Sequence, residues 1–247
     1  MEEADDVHNP PPTWTYADAM VSFPARLTCY AAIAFVLFQA LFLGVGYVGP
    51  QFIGSENGPV ETAQVYLAIL AAACLLYAAY HCRRGRAGLI TCATMVAYAA
   101  ARESDSMIEA MLFHDAYQWV IGLPLFLIAI TALIIDRRRV VPDAMWLVRQ
   151  PAVTLFALGG IYLCTACQML DRPDLWIGIS EIAEADSTKA MIEEFAELFA
   201  YLTIAFGGIE ALAMAHGLDV VAVPQADTPT SRTAVIDHAP LTRKIAA

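Results

Sequence analysis

The chain has 247 residues, of which 59% are hydrophobic and 16% are charged, and its formal net charge at pH 7 is −11. Soluble domains contain about 45–50% apolar and about 25% charged residues, so this composition excludes an ordinary soluble fold, which needs more polar surface to cover itself. The acidic balance also disfavours a nucleic-acid partner, which would require a basic stripe on the protein.

Six apolar segments follow one another along the chain, and most are near the 20 residues that cross a hydrocarbon core about 30 Å thick. They are 27–49, 61–82, 87–102, 116–135, 152–170 and 191–217, of which the third is short. The segments are continuous rather than alternating, which favours helices over barrel strands. We therefore predict an all-α fold, a six-helix transmembrane bundle over 27–219, with polar tails at 1–26 and 220–247, the second of them disordered.

Basic residues are distributed unevenly between the two sides of such a bundle. Arg102, Arg172 and Lys189 fall on one side. The other eleven fall on the opposite side, and they are Arg26, Arg83, Arg84, Arg86, Arg137, Arg138, Arg139, Arg149, Arg232, Arg243 and Lys244. Because Lys and Arg are enriched in cytoplasmic loops, we predict that both termini are cytoplasmic and that the protein is multi-pass in the inner or plasma membrane.

Polar residues cluster where the second segment begins on the outer side. Glu56 and Asn57 precede Gly58-Pro59, and Glu61 and Gln64 follow. If Asn57 or Gly58 caps the helix, the proline lies in the first turn, where its missing N–H costs little. Glu61 then favours the positive end of the helix dipole, and Gln64 shares its face.

Three other segment ends carry acidic residues at the same predicted membrane level. Arg102 and Glu103 end the third segment, Asp171 closes the fifth, and Glu193 and Glu197 open the sixth. An apolar run follows Glu197 directly, so we expect this carboxylate to be the deepest. Ionisable groups at such depth are costly and usually face a bundle interior or a wet cavity.

These positions predict one outer-side carboxylate cluster that is either structural or a site for a divalent cation. Its expected metal ligands are Glu61, Glu103, Asp171, Glu193 and Glu197, with Arg102, Asn57, Gln64 and Glu56 completing the polar network. Carboxylate and amide oxygens suit calcium, magnesium or manganese, and the addition of His114 would also suit iron or zinc. Paired Glu-x-x-His motifs of di-iron bundles are absent from the sequence.

Three polar motifs resemble those of a group of uncharacterised bacterial multi-spanning membrane proteins. The motifs are Glu56-Asn57-Gly58-Pro59-Val60-Glu61, Arg102-Glu103-Ser104-Asp105 and Glu193-Glu194-Phe195-Ala196-Glu197. The resemblance covers about a tenth of the residues and implies no activity. Transmembrane ceramidase-like hydrolases are a poorer match, because this chain lacks their His-x-x-x-His spacing.

Several functions remain open from the sequence. One alternative to a structural or cation-binding protein is a metal-dependent membrane enzyme that acts on a lipid or envelope substrate. Another is a small transporter, which would favour helices broken at mid-membrane, and Gly159-Gly160 and Gly207-Gly208 are weak points or packing positions. Membrane lipids are the expected partners, and the sequence identifies no protein partner. For the buried Glu210 we expect a partner among inner-side groups such as His81 or His216.

Overall fold

The structure is a computed structural model that describes residues 22–55, 58–170, 172, 176 and 185–217. Its regular elements are helices, and the described residues contain no strand. Most of the two predicted tails, together with Glu56, Asn57 and Asp171, lies outside the described residues. The first helix begins at Phe23 rather than at residue 27, so the end of the predicted N-terminal tail is helical.

The helices cover nearly all of the described chain. In chain order they are α1 (Phe23–Val48), α2 (Pro50–Ile53), α3 (Pro59–His81), α4 (Arg86–Glu103), α5 (Asp105–Met111), α6 (Leu123–Ile135), α7 (Val140–Leu147), α8 (Pro151–Tyr162), α9 (Gln168–Leu170) and α10 (Ala185–Ala215). A π-helical segment, Tyr117–Gly122, leads directly into α6, and a second one, Leu163–Cys167, joins α8 to α9.

Five helical stretches within the described residues are long and apolar enough to span a membrane, as in a multi-pass membrane protein. They are Phe23–Val48, Pro59–His81, Tyr117–Ile135, Pro151–Leu170 and Thr188–Ala215. The third predicted span, α4, is a helix but does not qualify. Its apolar part between Arg86 and Arg102 measures roughly 22 Å at 1.5 Å per residue, which is shorter than a hydrocarbon core of about 30 Å.

Helix α10 lies at the centre of the bundle. It packs against α3 and α8, while α3 also packs against α4, and α4 against α6. In an 18-residue apolar stretch of α10, 72% of the residues are buried, whereas none is buried in an apolar stretch of the same length in α1. Aromatic stacking of Tyr30 on Phe206, with ring centroids 4.4 Å apart, is one contact that holds α1 to α10.

Two glycines allow α10 to approach its neighbours closely. A Cβ on Gly208 would lie 2.9 Å from the Cα of Ala71 on α3, and one on Gly207 would lie 2.8 Å from the nitrogen of Phe156 on α8. Small residues at such positions let helix backbones pack together in a membrane. Since α10 is continuous through both glycines, they are packing positions and not a helix break.

The start of α3 and the end of α4 meet beside residues 194–201 of α10, which lie inside that helix. Helix α3 begins as the sequence predicted, with Gly58 as its N-cap, Pro59 at its first position and Glu61 in its first turn. Helix α4 ends at Glu103, and the separate helix α5 starts at Asp105. Because Gln64 of α3 contacts Glu194 and Glu103 of α4 contacts Tyr201, the polar residues of the three helices are brought within reach of one another.

Candidate functional site

A buried glutamine joins the start of α3 to α10. Gln64 is 0% exposed, and its Nε2 donates to the main-chain oxygen of Glu194 at 3.1 Å and to Glu194 Oε2 at 2.8 Å. The side-chain amide of Gln64 cannot be flipped, because its oxygen would then face the main-chain oxygen and the Oε2 of Glu194, which are both hydrogen-bond acceptors. Its other atom, Oε1, is buried and has no hydrogen-bond partner among the described residues. One buried acceptor is therefore left unsatisfied beside a carboxylate.

The carboxylate of Glu103 receives two hydrogen bonds on one oxygen. The hydroxyl of Tyr201, a fully buried residue of α10, donates to Glu103 Oε1 at 2.9 Å. The Nη2 of Arg102 donates to the same oxygen at 2.7 Å. The Arg102 side chain is 44% exposed, so its guanidinium lies at the edge of the network and pairs with the adjacent residue of its own helix.

Glu197 lies between these two hydrogen-bonded groups. It is within electrostatic range of Glu103, Glu194 and Arg102, and Glu194 is within range of Glu61. Residues 194, 197 and 201 are spaced three and four apart, which places them on one face of α10. We name the resulting set, whose members lie on α3, α4 and α10, the carboxylate cluster; it comprises Glu61, Gln64, Arg102, Glu103, Glu194, Glu197 and Tyr201.

The other predicted ligands do not all join this cluster. Glu193 is within electrostatic range of Glu194 and Glu197, but its carboxylate forms an ion pair with Lys189, one turn earlier on α10, at 3.0 Å. Glu61 is half-buried in the first turn of α3, near Glu194. Asp171, Glu56 and Asn57 lie outside the described residues, so their predicted roles stay predictions.

Two members of the cluster were not singled out from the sequence. Glu194 accepts the hydrogen bond from Gln64, and Tyr201 donates to Glu103. Both stand at helical spacing from Glu197, three residues before it and four after it, and this periodicity was the available signal. Lys189 and Glu193 are four residues apart on the same helix, so their ion pair is also consistent with local spacing.

A second group of ligand atoms lies on the last turn of α5 and in the loop that follows it. His114 Nδ1 is 2.9 Å from Glu109 Oε2, and His114 Nε2 is 3.7 Å from Asp115 Oδ2. One ligand atom from each of these three residues lies within 4.8 Å of the others. We name them the loop triad. His114 therefore pairs with two residues close to it in the chain, Glu109 and Asp115.

The loop triad perturbs the acidity of its members. The hydrogen bond between His114 and Glu109 holds the pKa of the Glu109 carboxyl below its ordinary value, helped by the backbone N–H of Asp115. The same hydrogen bond, together with the charges of Asp115 and Glu109, raises the pKa of His114. The His114 side chain is 86% exposed, so this group is open to solvent.

Glu210 is bound by two residues of α1 and by neither His81 nor His216. The guanidinium of Arg26 and the hydroxyl of Tyr30, both on α1, bind its carboxylate. His81 and His216 instead contact Tyr77, with ring centroids 4.4 Å and 6.0 Å apart, respectively. The partner is thus an inner-side group, as expected, but it is Arg26 rather than a histidine, because α1 packs against α10 with its basic first turn beside Glu210.

A groove lies elsewhere, between α4 and α6. It has a volume of about 570 Å³, a mostly apolar lining that includes Tyr98, Trp119 and Phe126, and no member of the carboxylate cluster. Comparison with known proteins adds no candidate activity, since no family model, curated protein or solved structure matches the chain. The functional argument therefore depends on the residues of the site alone.

Proposed function

We propose that this membrane protein binds a divalent cation in the carboxylate cluster, and that the cation ties the start of α3 and the end of α4 to α10. The observation that carries the proposal is the buried Oε1 of Gln64, which has no hydrogen-bond partner among the described residues. A buried acceptor without a partner costs about 1–3 kcal/mol. Coordination to a cation would remove that cost.

The charges around Gln64 favour the same ligand. Among the described residues, the cluster contains four carboxylates and a single guanidinium, which is bonded to Glu103. Like charges in a partly dry site repel one another more strongly than in water. A divalent cation near Glu194 and Glu197 would offset that repulsion.

The donor atoms indicate which cations to expect. Carboxylate, amide and hydroxyl oxygens are the ligands of calcium, magnesium and manganese, whereas zinc prefers nitrogen and sulfur. By covalent geometry, Gln64 Oε1 lies within about 5.5 Å of Glu194 Oε2, because both are joined through the same amide nitrogen. Two oxygens bound to one calcium ion lie up to about 5 Å apart, so a small side-chain movement would suffice.

The loop triad is a second candidate cation site. Its combination of one imidazole and two carboxylates, with ligand atoms within 4.8 Å of one another, suits a transition metal better than calcium. The two sites differ in their ligands, so they are separable by the ion that each one prefers.

The proposal is tested on full-length protein purified in detergent, stripped with a chelator and then titrated with calcium, magnesium, manganese or zinc. Metal content and melting temperature are measured for wild type, Glu194→Gln and Glu197→Gln. Glu193→Gln is a matched control on the same helical turn, since this carboxylate pairs with Lys189. Glu109→Gln is the control for the loop triad.

We expect calcium, magnesium or manganese to raise the melting temperature of wild type and of both controls, because a ligand that binds only the folded state stabilises it. Glu194→Gln and Glu197→Gln should lose that increase and the bound metal. If none of these three ions raises the melting temperature of wild type, the proposal is overturned. A response that is lost only in Glu109→Gln would move the site to the loop triad.

A further inference from the structure

Seven arginines occupy two loops at the end of the bundle opposite the carboxylate cluster. They are Arg83, Arg84, Arg86, Arg137, Arg138, Arg139 and Arg149, and all seven are exposed. Within the part of the chain that the structure describes, none of them has a carboxylate at ion-pair distance. We name this set the arginine surface.

Contacts between the loops make the arginines one surface. The guanidinium of Arg84 lies 5.3 Å from the ring centroid of Trp146 on α7. The backbone N–H of Gly85 donates to Asp143 Oδ2 at 3.0 Å. Gly85 has a φ of +75°, and a Cβ there would lie 2.7 Å from Leu147 Cγ. The loop after α3 is thus held against α7. Its arginines therefore lie on the same side of the bundle as Arg137, Arg138 and Arg139, which precede α7, and Arg149, which follows it.

Helix α7 also exposes an apolar stripe. Val141, Met145 and Val148 are 68%, 60% and 66% exposed, and their spacing of four and three residues places them on one side of the helix. Trp146 and Leu147 are buried on the bundle side. At eight residues, α7 is about 12 Å long, too short to cross a bilayer.

An exposed apolar stripe beside unpaired arginines is the pattern of a helix that lies in a membrane interface. Guanidinium groups bind phosphate oxygens in bidentate fashion, and anionic lipids attract basic segments next to spans. A nucleic acid would match the charge but would leave the stripe uncovered. The combination therefore favours a lipid whose phosphate meets the arginines and whose chains meet the stripe.

We propose that the arginine surface binds the headgroups of anionic phospholipids, with the stripe of Val141, Met145 and Val148 inserted at the boundary between headgroups and acyl chains. The proposal goes beyond cation binding and is independent of it, since no residue of the carboxylate cluster takes part. The lipids bound by the arginine surface belong to the membrane in which the protein is embedded.

The test uses full-length protein in detergent mixed with phosphatidylglycerol and phosphatidylcholine in equal amounts, with retained lipids counted by native mass spectrometry. The variant replaces Arg137, Arg138 and Arg139 with Gln. A matched control replaces Arg232, Arg243 and Lys244 with Gln, which removes the same charge from residues outside the described structure. Circular dichroism and melting temperature verify folding, and Arg83→Gln with Arg149→Gln is the replacement variant if the triple variant does not fold.

We expect wild type and the control to retain phosphatidylglycerol in preference to phosphatidylcholine. The arginine variant should lose about 100-fold of that preference, because it lacks three basic residues and each one at an anionic surface raises affinity about fivefold. Inorganic phosphate at the same concentration should not displace the lipid. Equal retention of the two lipids by wild type, an unchanged preference in the variant, or full displacement by phosphate would each overturn the proposal.

Discussion

The guanidinium of Arg26 binds both carboxylate oxygens of Glu210, across 184 residues of chain, with two hydrogen bonds of 2.8 Å. The hydroxyl of Tyr30 donates to the same carboxylate at 2.7 Å. Glu210 is only 2% exposed, so its charge depends on these partners. This interaction ties the first helix, which buries little of its own surface, to the central helix of the bundle.

Breaking this pair should therefore destabilise the protein strongly. We expect Arg26→Gln to lower the free energy of unfolding by about 3 kcal/mol, since it leaves a buried carboxylate unpaired. Tyr30→Phe should cost about 1.5 kcal/mol, as for a hydrogen bond to a charged group. Unfolding in mixed micelles with increasing SDS measures both. Replacing Arg26 and Glu210 together with Met should cost less than Arg26→Gln, and equal costs would contradict the argument.

The close approach of α10 to α3 gives a second prediction. Gly208→Val should destabilise the protein by about 1–3 kcal/mol, as overpacking does, because its Cβ would meet the backbone of Ala71. Gly160→Val is the matched control, since a Cβ at Gly160 has nothing within 4 Å. The same SDS unfolding experiment compares them. A Gly208 variant as stable as the Gly160 variant would show that the two helices do not pack tightly.

The hydrogen bonds on Glu103 give a third prediction. Tyr201→Phe should lower the free energy of unfolding by about 1.5–2 kcal/mol, because the lost bond is buried and involves a charge. Arg102→Gln should cost less, about 1 kcal/mol, since its partly exposed ion pair is screened by water. Arg83→Gln, in the exposed arginine surface, is the control and should change little. Arg84 is a poorer control because it lies over Trp146.

The ion pair of the loop triad should depend on pH. The pKa of Glu109 is lowered from 4.5 and that of His114 is raised from 6.5. The stabilisation from His114 is therefore complete below pH 6.5 and is lost as the pH rises through its raised pKa. The stabilisation from Glu109 is present above pH 4.5 and is lost as the pH falls through its lowered pKa, so the ion pair is complete between these limits.

This pH dependence is measurable by NMR titration of the His114 ring in the micelle-bound protein. Glu109→Gln should lower the pKa of His114, because it removes the largest cause of the shift. Glu61→Gln, which changes a carboxylate of another cluster, should leave the titration as in wild type. An unchanged His114 titration in Glu109→Gln would show that the two side chains do not pair in solution.

Membrane topology gives a fifth prediction, because the uneven distribution of arginines favours a cytoplasmic arginine surface. In intact cells, a membrane-impermeant maleimide should label a cysteine introduced by Ser55→Cys and should spare one introduced by Arg138→Cys. Wild type measures the background from the six native cysteines, which are free thiols. Arg138 is a better position than Gly85, whose positive φ and contact with Leu147 would strain a side chain. Labelling of the cysteine at position 138 would show that the orientation is opposite to the predicted one.

The amino-acid sequence by itself predicted the positions of several apolar helices. The predicted segments 61–82 and 152–170 differ by at most two residues at either end from Pro59–His81 and Pro151–Leu170, whereas α1 begins four residues before the predicted residue 27. This agreement has a local cause, since lipid requires every backbone N–H and C=O to be bonded within its own segment. The helix start at Gly58-Pro59 was equally local, because it depends only on capping and on the missing N–H of proline.

Only the tertiary structure decided which polar side chains pair. Glu194 turns towards Gln64, Glu103 accepts a hydrogen bond from Tyr201, and Glu210 meets Arg26. Each choice depends on how far a helix is rotated about its axis and how closely it approaches its neighbour. That rotation is set by long-range packing, such as Gly208 against Ala71, and a one-residue shift turns a side chain by about 100°. Hydropathy along one segment contains no information about the facing helix, so these partners could not be read from the sequence.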